Sequence, residues 1–175
     1  MSSAVPLLLT VIAAYLVGAV PFGYLVAKWR GVDIMRHGSG NIGATNVGRI
    51  LGKRFGVLVF FLDFAKGAFP VALAPWVGQR FDSDVPSETL SVIAGLGAFL
   101  GHLFPIYLRF RGGKGVATGA GVVAVLLPVP ATAAAVVWLA CLCGLRYVSI
   151  ASILAALTIV GLRWRMTPED RKSVV

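Results

Sequence analysis

Residues 57–77 read VLVFFLDFAKGAFPVALAPWV, an apolar stretch that contains one acidic and one basic side chain, Asp63 and Lys66. A helix needs about 20 apolar residues to cross the hydrocarbon core of a bilayer, so this stretch predicts a membrane-spanning helix. Charged side chains inside such a helix are costly unless they face the protein interior. Residues three apart share a helix face, and we therefore predict that Asp63 and Lys66 form a structural charge pair bordering a site, with direct catalysis as the alternative.

The rest of the chain has the same apolar character. Its 175 residues are 58% hydrophobic and 13% charged, with a mean hydropathy of +0.86, which excludes an ordinary water-soluble globule. Residues 116–127 and 148–162 are short for a full crossing. We predict one all-α domain over residues 1–175, a polytopic membrane helix bundle of about six to seven transmembrane or half-spanning helices. The candidate spans are 5–26, 57–77, 90–108, 116–127, 129–145 and 148–162.

The distribution of charge predicts the topology. Residues 28–54 hold six Lys or Arg and one acidic residue, whereas residues 79–89 hold three acidic residues and one arginine. Basic loops face the cytoplasm, so we expect the first segment inside, the second outside and the N-terminus outside. This bias explains most of the net charge of +9 without nucleic acid as a partner. Six crossings would leave Arg163 and Arg165 outside, so either one late segment does not cross or a final helix is missing.

Residues 38–46, GSGNIGATN, are called the glycine loop below. Glycines let backbone amides approach a phosphate closely, and hydroxyl and amide side chains add hydrogen bonds. Arg49, which follows the loop, can make a bidentate, charge-assisted contact with the same phosphate. Residues 38–43 also fit the G-x-G-x-x-G pattern of dinucleotide-binding folds, but that pattern has meaning only between a strand and a helix. The sequence favours an oxyanion cradle, with a flexible linker as the alternative.

Residues 110–115, FRGGKG, are called the lysine loop below, and they precede a predicted helix. A helix N-terminus binds phosphate through its free amides and its dipole, and Lys114 adds a point charge. The loop is not a Walker A motif, because position 108 is Leu and position 115 is Gly. The alternative is an ordinary basic turn that obeys the charge rule.

Two further positions carry polar groups next to apolar spans. His102, before the lysine loop, is either a general base or a hydrogen-bonded packing residue, and a single histidine gives no evidence for a metal site. Ser149, at the start of the last span, either caps that helix or contacts a substrate.

Together these motifs resemble the bacterial acyl-phosphate-dependent glycerol-3-phosphate acyltransferases, the PlsY family, over most of residues 15–153. The resemblance implies that residues 39–46 hold the phosphate of acyl phosphate, and that Arg49 and Lys114 bind glycerol 3-phosphate and neutralise charge. It implies Ser39, Arg49 and Lys114 as catalytic residues. The substrate-binding residues expected from it are Gly40, Asn41, Gly43, Thr45, Asn46, His102, Gly112, Gly113, Gly115, Thr118 and Ser149.

The chemistry that the resemblance implies fits these residue types. Acyl phosphate is a mixed anhydride, so the protein mainly brings two anionic molecules together and stabilises the oxyanion, without a metal or another cofactor. A substrate phosphate oxygen is expected to take the hydroxyl proton. Acyltransferases that use thioesters commonly carry His followed five positions later by Asp, and here those positions are Ile42 and Tyr107. The expected location is the bacterial inner membrane, in contact with membrane lipid, with both loops cytoplasmic.

One departure from the family is expected to matter. Family members usually end with a further helix and a cytoplasmic stretch close to the glycerol 3-phosphate site, and this sequence lacks both after Tyr147. An inactive family remnant is therefore one alternative. A small-molecule transporter or channel is the other, with Asp63, Lys66 and His102 as a polar pathway. Two related halves with interrupted helices, typical of transporters, are not evident. The sequence leaves acyl-chain preference and oligomeric state open.

Overall fold

The structure is a computed structural model that describes residues 4–166, and within this range the chain is helical and contains no strand. Two short 3-10 turns, Ile34–Arg36 and Ile106–Leu108, stand between helices in the two loop regions. The α-helices of the described range are α1 (Ala4–Ala19), α2 (Phe22–Trp29), α3 (Ala44–Leu51), α4 (Lys53–Arg80), α5 (Ser87–Leu103), α6 (Val116–Leu126), α7 (Pro128–Leu145) and α8 (Val148–Arg165).

Within the described residues, five helical segments are long and apolar enough to cross a bilayer: Ala4–Trp29, Lys53–Arg80, Ser87–Leu108, Pro128–Leu145 and Val148–Arg165. The prediction of an all-α, polytopic membrane protein is confirmed. Helix α6 has 11 residues and is about 16 Å long, roughly half the thickness of the hydrocarbon core.

The last predicted span, 148–162, is shorter than the helix in the structure. Helix α8 continues through Arg163 and Arg165 to a length of 18 residues. Basic side chains suit the last turn of a helix because the helix dipole is negative there, and they also suit the polar interface of a bilayer. The two arginines are therefore compatible with the last turn of the helix and do not mark its end.

The described chain forms two compact units, residues 4–122 and 123–166. In the first unit, α1 and α5 approach closely because small residues face each other. A Cβ on Gly18 would meet the backbone of Ala98, and a Cβ on Gly101 would meet the carbonyl oxygen of Tyr15. Close backbone contact through small residues is typical of membrane helix pairs, where packing replaces the hydrophobic effect.

The first apolar stretch is interrupted between α1 and α2. Pro21 has no backbone N–H, and the helix resumes at Phe22. Helix α2 then lies against the glycine loop, because Gly23 allows its backbone to touch the carbonyl oxygen of Ile42. The break therefore places α2 in contact with the glycine loop.

Two more glycine contacts position the elements that follow the loops. Gly52, with φ of 99°, allows the sharp turn between α3 and α4, and the two helices touch where a Cβ on Gly56 would lie 2.8 Å from Cα of Gly48. Further along α4, Gly67 lies against the backbone of Thr118 in the first turn of α6. Helix α4 thus supports the helix that follows each loop.

In the second unit, α7 and α8 pack on each other across a turn at Arg146, whose φ is 60°. Trp138 donates from Nε1 to Oγ of Ser152 at 3.2 Å, and Ser152 donates in turn to the carbonyl oxygen of Val148 at 2.8 Å. The two helices are therefore joined by a polar link within an apolar contact.

Candidate functional site

The glycine loop is organised by one buried side chain, Asn46, which is 2% exposed. Its Oδ1 accepts a hydrogen bond from the amide of Ser39 at 3.0 Å. Its Nδ2 donates to the carbonyl oxygens of His37 at 3.1 Å and Asn41 at 2.9 Å. Both amide protons are therefore used within the loop, and Asn46 holds the backbone in a closed turn.

The loop presents free backbone donors at its end. Oδ1 of Asn41 accepts from the amide of Gly43 at 2.8 Å, and Gly43 is the N-cap of α3. The first amides of a helix have no intrahelical acceptor, so those of Ala44 and Thr45 are available to an anion. The N-terminal dipole of α3 adds partial positive charge at the same place. Free amides and partial positive charge therefore meet at the start of α3, which are the features that the predicted oxyanion cradle requires.

Arg49 lies in the last turn of α3 and is exposed. Among residues 4–166, its guanidinium forms neither an ion pair nor a hydrogen bond, in contrast to Arg36, which pairs with Asp33 at 3.1 Å. An unpaired guanidinium beside an anion cradle is free to make bidentate contacts with a phosphate.

The lysine loop rests on His102. The amide of Gly113 donates to the carbonyl oxygen of His102 at 3.1 Å. A Cβ on Gly113 would collide with Nε2 of the imidazole, and a Cβ on Gly112 would collide with the carbonyl oxygens of His102 and Leu103. Glycine is therefore required at both positions by close contact with the end of α5.

The lysine loop ends in a helix N-terminus. Gly115, with φ of 77°, accepts from the amide of Gly119 at 2.7 Å and so caps α6. The amides of Val116 and Ala117 lack intrahelical acceptors for the same reason as in α3. Lys114 is exposed and, within the described part of the chain, has no acidic partner.

A buried cluster of ionisable groups lies between the start of α2 and the end of α5, the elements that contact the two loops. Nζ of Lys66 is 2.9 Å from Oδ1 of Asp63, and it donates to the carbonyl oxygen of Val20 at 2.7 Å. Nδ1 of His102 is 3.8 Å from the same carboxylate oxygen. The three side chains are 2–4% exposed. Lys66 also lies 5.7 Å from the ring centroid of Phe22, at the start of α2.

The two loops lie at the same end of the first unit. Leu108, just before the lysine loop, packs against a core cluster that contains Ile42 and Val47 from the glycine-loop region. Met35 and Arg109, which precede the two loops, line one cavity. Residues far apart in the sequence are therefore brought together by α2, α4 and α5.

The predicted site residues differ in exposure, and Gly40, Asn41, Gly43, Gly112 and Gly113 are half-buried. Ser39, Thr45, Arg49 and Lys114 are exposed on the loops and on α3, where a ligand can reach them. Asn46, His102 and Thr118 are buried, and Thr118 is completely so. Ser149 is exposed in the first turn of α8, in the second unit, and its predicted contact with substrate stays a prediction.

Sequence reasoning missed two backbone elements of the site. One is the carbonyl group of Val20, which accepts from Lys66, and the other is the close contact between Gly23 and Ile42. Pro21 was the available signal, because a proline interrupts an apolar helix, and the carbonyl group of Val20 at the break accepts only from the amide of Phe22 within the backbone of residues 4–166. A lysine elsewhere in the membrane is a natural donor to such a carbonyl.

The chain is similar to proteins of one known family. Residues 8–174 match the family model described as glycerol-3-phosphate acyltransferase. A glycerol-3-phosphate acyltransferase of Myxococcus xanthus (strain DK1622) is 49% identical over 152 residues, which cover 86% of this chain and 76% of the relative. One of Aquifex aeolicus (strain VF5) is 48% identical over 151 residues, covering 86% and 76% respectively.

Two solved structures share the fold. Both are crystal structures of PlsY (YgiH), an integral membrane glycerol 3-phosphate acyltransferase, in a glycerol 3-phosphate form and a lysophosphatidic acid form. Their TM-scores are 0.81 and 0.79, each at 43% identity over 96% of this chain, and the match covers 82% and 81% of those chains. The chain belongs to the glycerol-3-phosphate acyltransferase family, as the motifs in its sequence predicted.

Proposed function

We propose that the protein transfers a fatty acyl group from acyl phosphate to the 1-hydroxyl of sn-glycerol 3-phosphate, giving lysophosphatidic acid and phosphate, the first step of phospholipid synthesis. The observation that carries this proposal is that the glycine loop and the lysine loop, each with free amides at a helix start, lie at one end of the same unit. The glycine loop leads into α3, which carries the unpaired Arg49. The lysine loop contains the unpaired Lys114 and leads into α6. Two phosphate-bearing reactants require two such sites side by side.

We infer acyl phosphate as the donor because two loops with charge and backbone donors suit two phosphate groups, one on each reactant; within residues 4–166, the hydroxyl group of Ser39 has no hydrogen-bonded base that would make it a nucleophile. The glycerol hydroxyl attacks the carbonyl carbon, a new ester C–O bond forms, and the C–O bond to phosphate breaks. The released phosphate is a good leaving group, so positioning and oxyanion stabilisation supply most of the catalysis. A phosphate oxygen of the substrate takes the hydroxyl proton, and no side chain needs to act as a base.

The residues of the two loops, together with Arg49, have different roles in this scheme. Ser39 and Thr45, with the amides at the start of α3, hold the phosphate of the donor. Arg49 and Lys114 bind the phosphate of glycerol 3-phosphate and neutralise the charge that develops during transfer. The glycines Gly40, Gly43, Gly112, Gly113 and Gly115 keep the backbone accessible. Asn41 fixes the amide of Gly43.

The buried residues support the loops. Because the amide protons of Asn46 are already donated, its role is to shape the glycine loop. His102 carries the lysine loop through its carbonyl group and its ring, and Thr118 lies where α6 touches Gly67. Asp63 and Lys66 form the structural pair that joins these elements.

The site belongs on the cytoplasmic side of the bacterial inner membrane. The basic segments at residues 28–54 and 109–114 lie at this end of the unit, and basic loops face the cytoplasm. An acyl donor and a lysophospholipid product both partition into a bilayer, whereas glycerol 3-phosphate is water-soluble. A site at the membrane surface serves all three.

The test is an acyl-transfer assay with purified protein in detergent or in lipid. Labelled glycerol 3-phosphate is supplied with palmitoyl phosphate, and in parallel with palmitoyl thioester. We expect lysophosphatidic acid and an equal amount of inorganic phosphate from the first donor alone. Equal product from the thioester would contradict the assigned donor, and no product from either would contradict acyl transfer itself.

A further inference from the structure

A cavity of about 390 Å³ lies beside the two loops, and none of the proposed catalytic residues lines it. Its wall combines two arginines with two tyrosines and two apolar side chains. The lining residues are Tyr24, Met35, Tyr107, Leu108, Arg109 and Arg111. The lining does not include Ser39, Arg49 or Lys114, and one lining residue, Arg111, belongs to the lysine loop.

The charged side chains that line the cavity are all positive. No acidic residue lines it, and within residues 4–166 neither Arg109 nor Arg111 has an acidic partner. Asp33, near Met35, is already paired with Arg36 at 3.1 Å. Nζ of Lys28 adds a further positive charge 5.9 Å from the ring centroid of Tyr24. An anion in the cavity would meet several cations without competition.

The turn that carries Arg109 and precedes Arg111 has an unusual backbone conformation. Arg109 and Phe110 both have positive φ, 53° and 64°, which L-residues other than Gly, Asn and Asp rarely adopt. Three hydrogen bonds close this turn, including one from the amide of Phe110 to the carbonyl oxygen of Pro105 at 2.9 Å. Strain of this kind persists where surrounding structure imposes it, and it gathers at ligand-binding sites.

The surroundings of the cavity favour a lipid as the source of the anion. Tyr107 in its wall is 55% exposed, and Trp29 and Phe110, in the neighbouring elements, are 75% and 60% exposed. Exposed aromatic rings beside arginines are typical of the bilayer interface, where lipid headgroups lie. A soluble phosphate ester would gain nothing from these apolar neighbours, whereas an acyl chain would.

We propose that this cavity binds the phosphate group of a phosphomonoester lipid, with Arg109 and Arg111 on the phosphate and the acyl chain along the exposed aromatic side chains. Arginine is suited to this role because its planar fork makes bidentate contacts with phosphate oxygens. The tyrosine hydroxyls add donors. Such a lipid has the chemistry of the product named above, so this proposal rests on the proposed function, but it assigns binding to side chains other than Ser39, Arg49 and Lys114.

The experiment reports on the cavity alone. Tyr107→Cys is made in a background with Cys141→Ala and Cys143→Ala, and its alkylation by a maleimide is followed in detergent with increasing oleoyl lysophosphatidic acid. Met35→Cys serves as a second reporter in case Tyr107→Cys disturbs the wall. We expect the lipid to protect both cysteines. Arg109→Gln with Arg111→Gln should raise the concentration for half-protection about 10- to 100-fold, since charge-assisted hydrogen bonds are lost.

Matched controls separate this site from a generally basic surface. Arg54→Gln removes an exposed arginine that does not line the cavity, and we expect unchanged protection. Lysophosphatidylcholine, glycerol 3-phosphate and inorganic phosphate at equal concentration should protect poorly. Equal protection by any of these three, an equal effect of Arg54→Gln, or full protection in the double arginine variant would overturn the proposal. Because no turnover is measured, failure here is distinguishable from failure of the acyl-transfer assay.

Discussion

Lys66 donates a hydrogen bond from Nζ to the carbonyl oxygen of Val20 at 2.7 Å, across 46 positions of the sequence. The same ammonium pairs with Asp63, whose carboxylate faces His102. Val20 stands at the break that starts α2, and α2 touches the glycine loop, whereas His102 carries the lysine loop. One buried cluster therefore connects the supports of both loops, which explains why charges are retained inside a membrane helix.

Removing one member of this pair should cost more than removing both. Lys66→Met leaves the Asp63 carboxylate buried without its cation, and we expect a loss of about 3–5 kcal/mol in the free energy of unfolding. Asp63→Asn combined with Lys66→Met should restore part of that loss, because no uncompensated charge remains. Thermal unfolding in detergent measures both variants. Unchanged unfolding temperature in Lys66→Met would contradict a supporting role for the pair.

Two asparagines of the glycine loop should respond differently to the same substitution. Asn46→Asp replaces the donor Nδ2 with an oxygen that faces two carbonyl groups, so we expect at least about 2 kcal/mol of destabilisation. Asn41→Asp keeps the oxygen that accepts from Gly43, and its unfolding temperature should stay close to that of the original protein. Equal effects of the two substitutions would show that the hydrogen bonds of Asn46 do not hold the loop.

The lysine loop allows a test of contact between backbone and side chain. Gly113→Ala places a methyl group against the imidazole of His102, and we expect the KM for glycerol 3-phosphate to rise about 10- to 100-fold. Adding His102→Ala makes room and should recover part of the affinity. Gly112→Ala collides with backbone carbonyl groups, so the same second substitution should give no recovery. Steady-state kinetics that show equal recovery at both positions would contradict this packing.

The two unpaired cations carry the proposed chemistry. Arg49→Ala and Lys114→Ala should each lower kcat/KM for acyl transfer about 10²- to 10³-fold, because each removes charge that stabilises the reacting phosphates. Arg54→Ala removes a similarly exposed arginine at the start of α4. Because Arg54 has no assigned contact with a reactant, kcat/KM should change less than about twofold. Rates like those of the unmodified protein in Arg49→Ala and Lys114→Ala would refute their assigned roles.

The helices were predictable because the bilayer restricts the choice of structure: an apolar run of sufficient length has to satisfy its backbone hydrogen bonds internally. The pair Asp63 and Lys66 was likewise predictable from helical spacing, and the structure places the two groups 2.9 Å apart. Arg49 and Lys114 stood out because glycines and hydroxyl groups precede or surround them.

What sequence could not supply was the direction of side chains in the loops. Asn46 and Thr45 are neighbours of similar polarity, yet one is buried and donates to the backbone while the other is exposed. That difference depends on where α3 begins, which is set by contacts with α2 and α4. The cavity beside Arg109 was invisible for the same reason, since its wall joins side chains of α2 with those of two separate loop regions.

The central claim is that the glycine loop and the lysine loop bind reactants held next to each other. An experimental structure of the protein with glycerol 3-phosphate and a non-hydrolysable acyl phosphate analogue tests it most directly. We predict hydrogen bonds of about 3 Å from Thr45 and from Lys114 to phosphate groups of adjacent bound molecules. Bound molecules that touch only one loop, or that lie too far apart for the hydroxyl to reach the acyl carbon, would contradict the account.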